Sequence, residues 1–266
     1  MISTPHFTFS DGLTHGLVGP NGIGKTTLLR KIAGQLNASG ITVDGDKPYD
    51  NEKVLNKIVL MGIDTPLPEG WNVKKIFTVA SLRWSTWNKT RAEELVERFE
   101  LPMKNYSGLS RGQKSAASFI VAVASGVPYM LLDEPYLGLD AAKREVFYDV
   151  LREEHGRTII VSTHHLNELS GLLDTVALMG ENPLSGPIDE FIEGVVQLTG
   201  SAETLDRALG RLQLPVLERE TSAVADRALV DARPNHTANV FDMAQEMGLR
   251  ATEVSLEQAV LALGEA

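Results

Sequence analysis

The 266-residue chain has no cysteine. That excludes disulfides, thiolate-bound structural zinc and thiol nucleophiles, and it fits a reducing compartment. It also lacks a basic excess, with a formal charge of −10 at pH 7. Nucleic-acid and anionic-membrane binders need a basic surface, so no nucleic-acid partner is expected. A long uninterrupted apolar run is missing too. The most apolar window, Ser115–Leu132, is broken by Ser118, Ser125, Gly126 and Pro128, which predicts a helix, a turn and a buried strand rather than a membrane span. Met1–Asp11 has neither a basic start nor an apolar stretch, so no secretory leader is expected. No internal repeat or low-complexity tract is visible. What is present is ordinary for a globular chain, 43% hydrophobic and 23% charged, with length for one large domain or one domain plus a small appendage.

Apolar runs bounded by turn residues predict buried strands at Thr14–Val18, Tyr129–Leu132, Thr158–Val161 and Thr175–Leu178, with helical segments between them. That alternation points to an α/β fold with a mostly parallel sheet. A helix is expected from Lys25 to Ala33, stopped by Gly34, and an edge strand of a small antiparallel sheet over Gly40–Gly45. Val73–Phe99 reads as mostly helical, and Ser115–Ala124 as a second helix led by the loop at Ser110. After Gly186-Pro187 the pattern shifts to short apolar strands (Val195–Leu198, Leu214–Leu217) and amphipathic pieces (Ala202–Leu212, Val240–Met247), as in a small α+β appendage.

Gly19–Thr26 fits G-x-x-x-x-G-K-[ST] and lies between a predicted strand and a predicted helix, the context the phosphate-binding loop requires. Glycines such as Gly19, Gly22 and Gly24, with Asn21 between them, let backbone N–H groups converge on phosphate oxygens at a helix N-terminus. Lys25 would reach the β- and γ-phosphates, Thr26 would bind Mg²⁺ through its hydroxyl, and Thr27 would touch the α-phosphate. Leu131-Leu132 lead a buried strand into Asp133-Glu134, an acid pair at the strand end where open α/β sheets bind ligands. Leu109-Ser110-Arg111-Gly112-Gln113 precedes that strand, and Ser162-Thr163-His164 closes the next one. Ser110 is expected to cap the helix after it.

These four segments in this order resemble the nucleotide-binding subunit of an ATP-binding cassette (ABC) transporter over about Phe7 to Gly180. The resemblance implies a P-loop NTPase (RecA-like) domain over about 1–185, with an antiparallel β subdomain and a helical subdomain over about 64–125 that carries the signature loop, followed by the α+β unit at 186–266. It implies ATP and Mg²⁺ as cofactors, with Asp133 supporting the metal, Glu134 polarising the attacking water and His164 contacting the γ-phosphate. His165 would point elsewhere. Ser110, Gly112 and Gln113 would face the γ-phosphate held by a second subunit, and Asp140 would lie at that interface. A chain with one phosphate loop and one signature loop then needs a dimer, homomeric or heteromeric, and a separate membrane permease, with the chain cytoplasmic at the inner face of the membrane. Val254-Ser255-Leu256-Glu257-Gln258-Ala259-Val260 resembles the endings of bacterial exporter-type subunits.

Three places depart from the family pattern. Arg111 stands at a glycine place of the usual L-S-G-G-Q. The aromatic that stacks on adenine has no counterpart, because Phe7 and Phe9 align with the strand before the phosphate loop and are expected in the core. The glutamine that usually follows the strand near Ile58–Leu60 is replaced by Met61-Gly62-Ile63-Asp64, where Asp64 offers an oxygen instead. Trp84 and Trp87, three apart on a predicted helix with Trp71 nearby, are expected to pack in the core rather than dock a partner. The alternative to a transport ATPase is a regulatory ABC protein that binds nucleotide with little turnover.

Overall fold

The computed structural model describes residues 1–62, 67–222, 224–233 and 237–265. Asp64 lies outside the described residues. The chain forms two compact units, Met1–His164 with Gly171–Asp174, and His165–Ser170 with Thr175–Ala266.

The first unit opens with β1 (Ile2–Ser3) and β2 (Thr8–Phe9), then β3 (Thr14–Val18), α1 (Lys25–Ile32), β4 (Thr42–Val43) and α2 (Glu52–Leu55). β5 (Ile58–Gly62), α3 (Val73–Arg83), α4 (Lys89–Arg98), α5 (Arg111–Ala124), β6 (Tyr129–Asp133), α6 (Ala141–Glu153) and β7 (Thr158–Ser162) complete it. Strands β5, β6, β7 and β3 lie side by side in that order, and every pairing among them is parallel. β6 and β7 are buried along their whole length, which is why both read as continuous apolar runs without alternation. Their register sets Asp133 beside Ser162 and Ser162 beside Leu17, so the C-terminal ends of three strands meet on one edge of the sheet.

The edge strand expected at 40–45 is β4, paired to a central β1 that also pairs with β2. Phe7 and Phe9 are buried as expected. Phe9, however, belongs to β2 of this antiparallel sheet and not to the strand before the phosphate loop. Helix α1 stops as its sequence predicts: Gly34 takes a φ of +71°, and the N–H of Gln35 reaches back to the Arg30 carbonyl at 2.9 Å.

Val73–Phe99 is mostly helical as expected, but in two helices, because the segment breaks at Trp84–Asn88. The Asn72 and Asn88 carboxamides each accept the N–H three residues on, at 2.8 Å and 3.0 Å, so each starts its own helix. Trp84 and Trp87 therefore flank a turn rather than share a helix face, and both are half-buried. Trp87 packs against Phe77 with ring centroids 5.8 Å apart. Among the described residues no helix is long and apolar enough to cross a membrane.

The second unit contains α7 (Leu166–Leu169), β8 (Thr175–Leu178), β9 (Leu184–Pro187) and α8 (Ile188–Ile192). β10 (Val195–Gly200), α9 (Ala202–Leu212), β11 (Val216–Glu220), β12 (Asp226–Asp231), α10 (Thr237–Glu246), β13 (Arg250–Glu253) and α11 (Leu256–Glu265) follow. β8 and β9 form an antiparallel pair. The β10-α9-β11-β12-α10-β13 succession, arranged as β11-β12-β10-β13 with all pairings antiparallel, is a ferredoxin-like sheet. Val196, Leu198, Ala228 and Val230 form one face of the sheet and pack with Leu205, Ala208 and Leu212 of α9 and Val240 and Ala244 of α10. At α11 the Ser255 hydroxyl accepts the Gln258 N–H at 3.2 Å, while Glu257 pairs with the Asn167 carboxamide at 2.9 Å, so the Ser255-Leu256-Glu257 segment has a structural task inside this unit.

Candidate functional site

The loop between β3 and α1 is shaped by its glycines. Gly22 and Gly24 hold φ of +83° and +109°, a region that a side chain would penalise, and α1 starts at Gly24 with no side-chain cap. The first N–H groups of α1 are thus left facing the loop, as an anion site at a helix N-terminus requires. Lys25 is buried, and its ammonium donates to the carbonyls of Gly19 at 2.7 Å and Pro20 at 3.3 Å, which arches the side chain over the loop. Asn21 and Thr27 are exposed at the rim.

The Thr26 hydroxyl donates to Asp133 Oδ2 at 2.6 Å. Asp133 is buried, and its other oxygen accepts the Ser162 hydroxyl. With its proton given to Asp133, Thr26 Oγ1 keeps lone pairs for a cation, and its carboxylate partner supplies a hard anionic oxygen. That donor set suits Mg²⁺, which takes a few protein oxygens and completes its shell with phosphate and water. Among the described residues no cluster of three or more His, Asp or Glu could cage a metal by itself.

Glu134 adopts a φ of +46°, unusual for a residue with a side chain. Two bonds hold its backbone there: its N–H is shared between the Ser162 hydroxyl at 3.0 Å and the Ser162 carbonyl at 3.3 Å. Its carboxylate is held from two sides. His164 Nδ1 lies 2.9 Å from both oxygens, and the Tyr136 phenol donates to Oε2 at 3.2 Å. Tyr136 is buried and also bonds the Thr163 hydroxyl. Burial is the main cause that raises its phenol pKa; the Thr163 bond works the other way and the Glu134 charge adds to the rise. His165 is exposed.

The signature segment forms a second cluster. Ser110 caps α5 as expected, and the cap is reciprocal: its hydroxyl accepts the Gln113 N–H at 3.2 Å while Gln113 Oε1 accepts the Ser110 N–H at 3.0 Å. Both side chains therefore have partners within their own helix turn. Gly112 lies against the loop that follows the acid pair, where an added Cβ would sit 2.2 Å from the Gly138 carbonyl oxygen. The Ser115 hydroxyl donates to the Leu137 carbonyl at 2.7 Å, and Asp140 caps α6 by accepting the Lys143 N–H at 2.9 Å.

The fold thus brings Thr26, Asp133, Glu134 and His164 into one hydrogen-bonded set and groups Ser110, Gly112 and Gln113 beside the 137–140 loop. Sequence reasoning passed over Ser162, Thr163 and Tyr136. Ser162 and Thr163 lie inside the quoted Ser162-Thr163-His164 stretch, where only the histidine had an assigned role. Tyr136 carried no signal of its own.

A family model described as ABC transporter matches residues 2–137. The ABC transporter ATP-binding protein YtrB of Bacillus subtilis is 29% identical over 224 residues, covering 80% of this chain and 76% of its own length. NatA of the same organism, also an ABC transporter ATP-binding protein, is 31% identical over 202 residues, covering 70% and 81%. Against the glucosylceramide transporter ABCA12 of Homo sapiens, 30% identical over 195 residues, this chain spans 8% of that protein's length. A solved ATP-binding subunit of an ABC transporter superposes with a TM-score of 0.61 over 71% of this chain and 89% of its own at 23% identity, a likeness of fold. With its phosphate loop, acid pair and signature helix in one α/β unit, the chain belongs to the ABC transporter family as an ATP-binding domain with ATPase activity.

Proposed function

We propose that this chain is the cytoplasmic ATP-hydrolysing subunit of an exporter-type ABC transporter, docked at the inner face of the membrane through a separate permease. Two ATPase subunits close around two Mg-ATP. In each site Gly19, Asn21, Gly22, Gly24, Lys25 and Thr27 hold the phosphates. Thr26 and Asp133 hold Mg²⁺, which supplies charge neutralisation at the transferring phosphoryl group. Glu134 orients and polarises the attacking water, and His164 contacts the γ-phosphate. Ser110, Gly112 and Gln113 of the opposite subunit complete the site, with Asp140 at the contact between subunits. The exporter assignment rests on the Val254–Val260 ending, and the domain division on the motif-bearing segment up to about residue 185 with an appendage beyond it.

The observation that carries the catalytic reading is the continuous network Thr26–Asp133–Ser162–Glu134–His164, which links the phosphate loop to a carboxylate held in one place. Its test is steady-state ATP turnover by the purified chain, with and without co-purified permease, beside Glu134→Gln. Turnover is expected to fall by roughly 10²- to 10⁴-fold in the variant. Wild-type turnover no higher than that of Glu134→Gln, even with the permease present, would instead favour a nucleotide-binding regulatory protein.

A further inference from the structure

Tyr136 follows Glu134-Pro135 on the loop after β6. It faces the oxygen of Glu134 that His164 does not hold alone. A phenol has one proton to give and lone pairs to receive. A carboxylate can only accept, so the proton of Tyr136 belongs to Glu134 Oε2, 3.2 Å away. The phenol oxygen is in turn bonded by the Thr163 side chain and by the His164 backbone. Tyr136 therefore ties the loop after β6 to the loop after β7, the two strand ends that carry the acid pair and the histidine.

Two partners hold the Glu134 carboxylate, and they differ in freedom. The His164 side chain is 41% exposed, whereas Tyr136 is 3% exposed and packs edge-on against Phe147 with centroids 6.2 Å apart. The two imidazole nitrogens let His164 hold Glu134 through Nδ1 and meet a γ-phosphate through Nε2, so its grip on the carboxylate follows the ligand. The buried tyrosine holds Oε2 whether or not the ligand is there, while His164 reaches both oxygens.

We propose that Tyr136 is a positioning residue for ATP hydrolysis: its phenol O–H holds the Glu134 carboxylate in a single orientation, and Thr163 with the His164 backbone holds the phenol. This rests on the reading of Glu134 as the residue that orients the water. Losing one hydrogen bond to a charged group converts to a rate loss of about 10- to 100-fold when that bond orients the reacting carboxylate.

The test is a kinetic cycle on the full chain. Tyr136→Phe removes one oxygen and keeps the ring. It is expected to lower kcat about 10- to 100-fold while the Kd for Mg-ATP, from an equilibrium titration, stays within about twofold. In a Glu134→Gln background the same substitution should change the residual rate less than about twofold, since both act through one carboxylate. Because Tyr136→Phe removes the phenol oxygen that Thr163 bonds in a buried place, the Tyr136→Phe/Thr163→Val pair is measured too. It should regain thermal stability and not kcat. Turnover that returns with stability in the pair would mean a packing role only and overturns the proposal. So does a Tyr136→Phe chain as fast as wild type while Glu134→Gln is inactive. If Glu134→Gln itself turns over like wild type, the reading of Glu134 fails first, and the positioning role falls with it.

Discussion

Substituting Gly112 by alanine isolates the contact between the signature segment and the loop after the acid pair. A Cβ at that position would sit 2.2 Å from the Gly138 carbonyl oxygen and 3.0 Å from its carbon. Ordinary contact begins at 3.4 Å, so the methyl arrives more than an ångström too close. Its neighbours are backbone atoms, which cannot rotate away, and α5 is tied to the same loop through Ser115 and Leu137. Overpacking of this kind costs about 1–3 kcal/mol, and its rigid setting puts this case at about 2 kcal/mol or somewhat more. Alanine in a helix gains back at most about 1 kcal/mol over glycine, less at the second position of α5. The clash wins, with a net loss of about 1–2 kcal/mol. For a chain of this size that lowers the melting midpoint by about 3–6 °C. Gly108→Ala is the control, because an added Cβ there meets nothing within 4 Å and is expected to change stability by less than about 0.5 kcal/mol. The assay is thermal melting by circular dichroism of the three proteins without nucleotide. A Gly112→Ala chain that melts at or above wild type refutes the close-packing argument, and any loss of turnover it shows would then belong to nucleotide contact alone.

Two further outcomes follow from buried titratable groups. Burial is the chief reason that the His15 imidazole is held below its ordinary pKa of 6.5, with the Ser10 carbonyl and Asp174 pulling the other way. The unfolded chain therefore binds a proton that the folded chain refuses, so the stability is intact above about pH 6.5 and is lost progressively as pH falls from there through the lower pKa of the folded state. Denaturant midpoints at pH 8 and pH 5.5 should differ more in wild type than in His15→Gln, and equal differences would rule this out. In the second unit, burial pushes the Asp231 carboxyl up, and Arg233, donating at 2.9 Å and 2.7 Å, more than offsets it, leaving the pKa below 3.8. Arg233→Met should cost about 1–2 kcal/mol at pH 7, and less once pH falls below the unfolded value and through the folded one; a loss that stays the same at pH 3 contradicts the ion-pair account.

Several features were legible because their physics is local. The phosphate loop is a spacing of glycines, a lysine and a hydroxyl that has little use elsewhere, and its helix starts where Lys25 says it should. β6 and β7 announce themselves as apolar runs because both faces are covered. Other features lacked any such signal. β1 and β2 are two residues long, too short for a period. β12 holds only a three-residue apolar run, Ala228–Val230, between buried Asp226 and Asp231, whose charges are met by Arg219 and Arg233. The break at Trp84–Asn88 is invisible to helix periodicity because the residues on either side favour helix. The Asn88 cap, its N–H bond to the Ala124 carbonyl at 2.8 Å and the Thr86 hydroxyl bond to the Ser125 carbonyl at 2.6 Å hold the turn.

The sequence by itself determined the nucleotide chemistry: which residues could hold phosphate and a hard cation, which acid follows the strand, and which family the order of segments resembles. Those are properties of residue type and spacing along one strand–loop–helix unit. The tertiary structure alone decided how the groups are held. Ser162 reaches Asp133 across 29 residues and Tyr136 reaches Thr163 across 27, because β6 and β7 are parallel neighbours in register. Gly112 is required as much by the Gly138 carbonyl as by any ligand. Such contacts depend on strand order and helix placement, which no local pattern encodes.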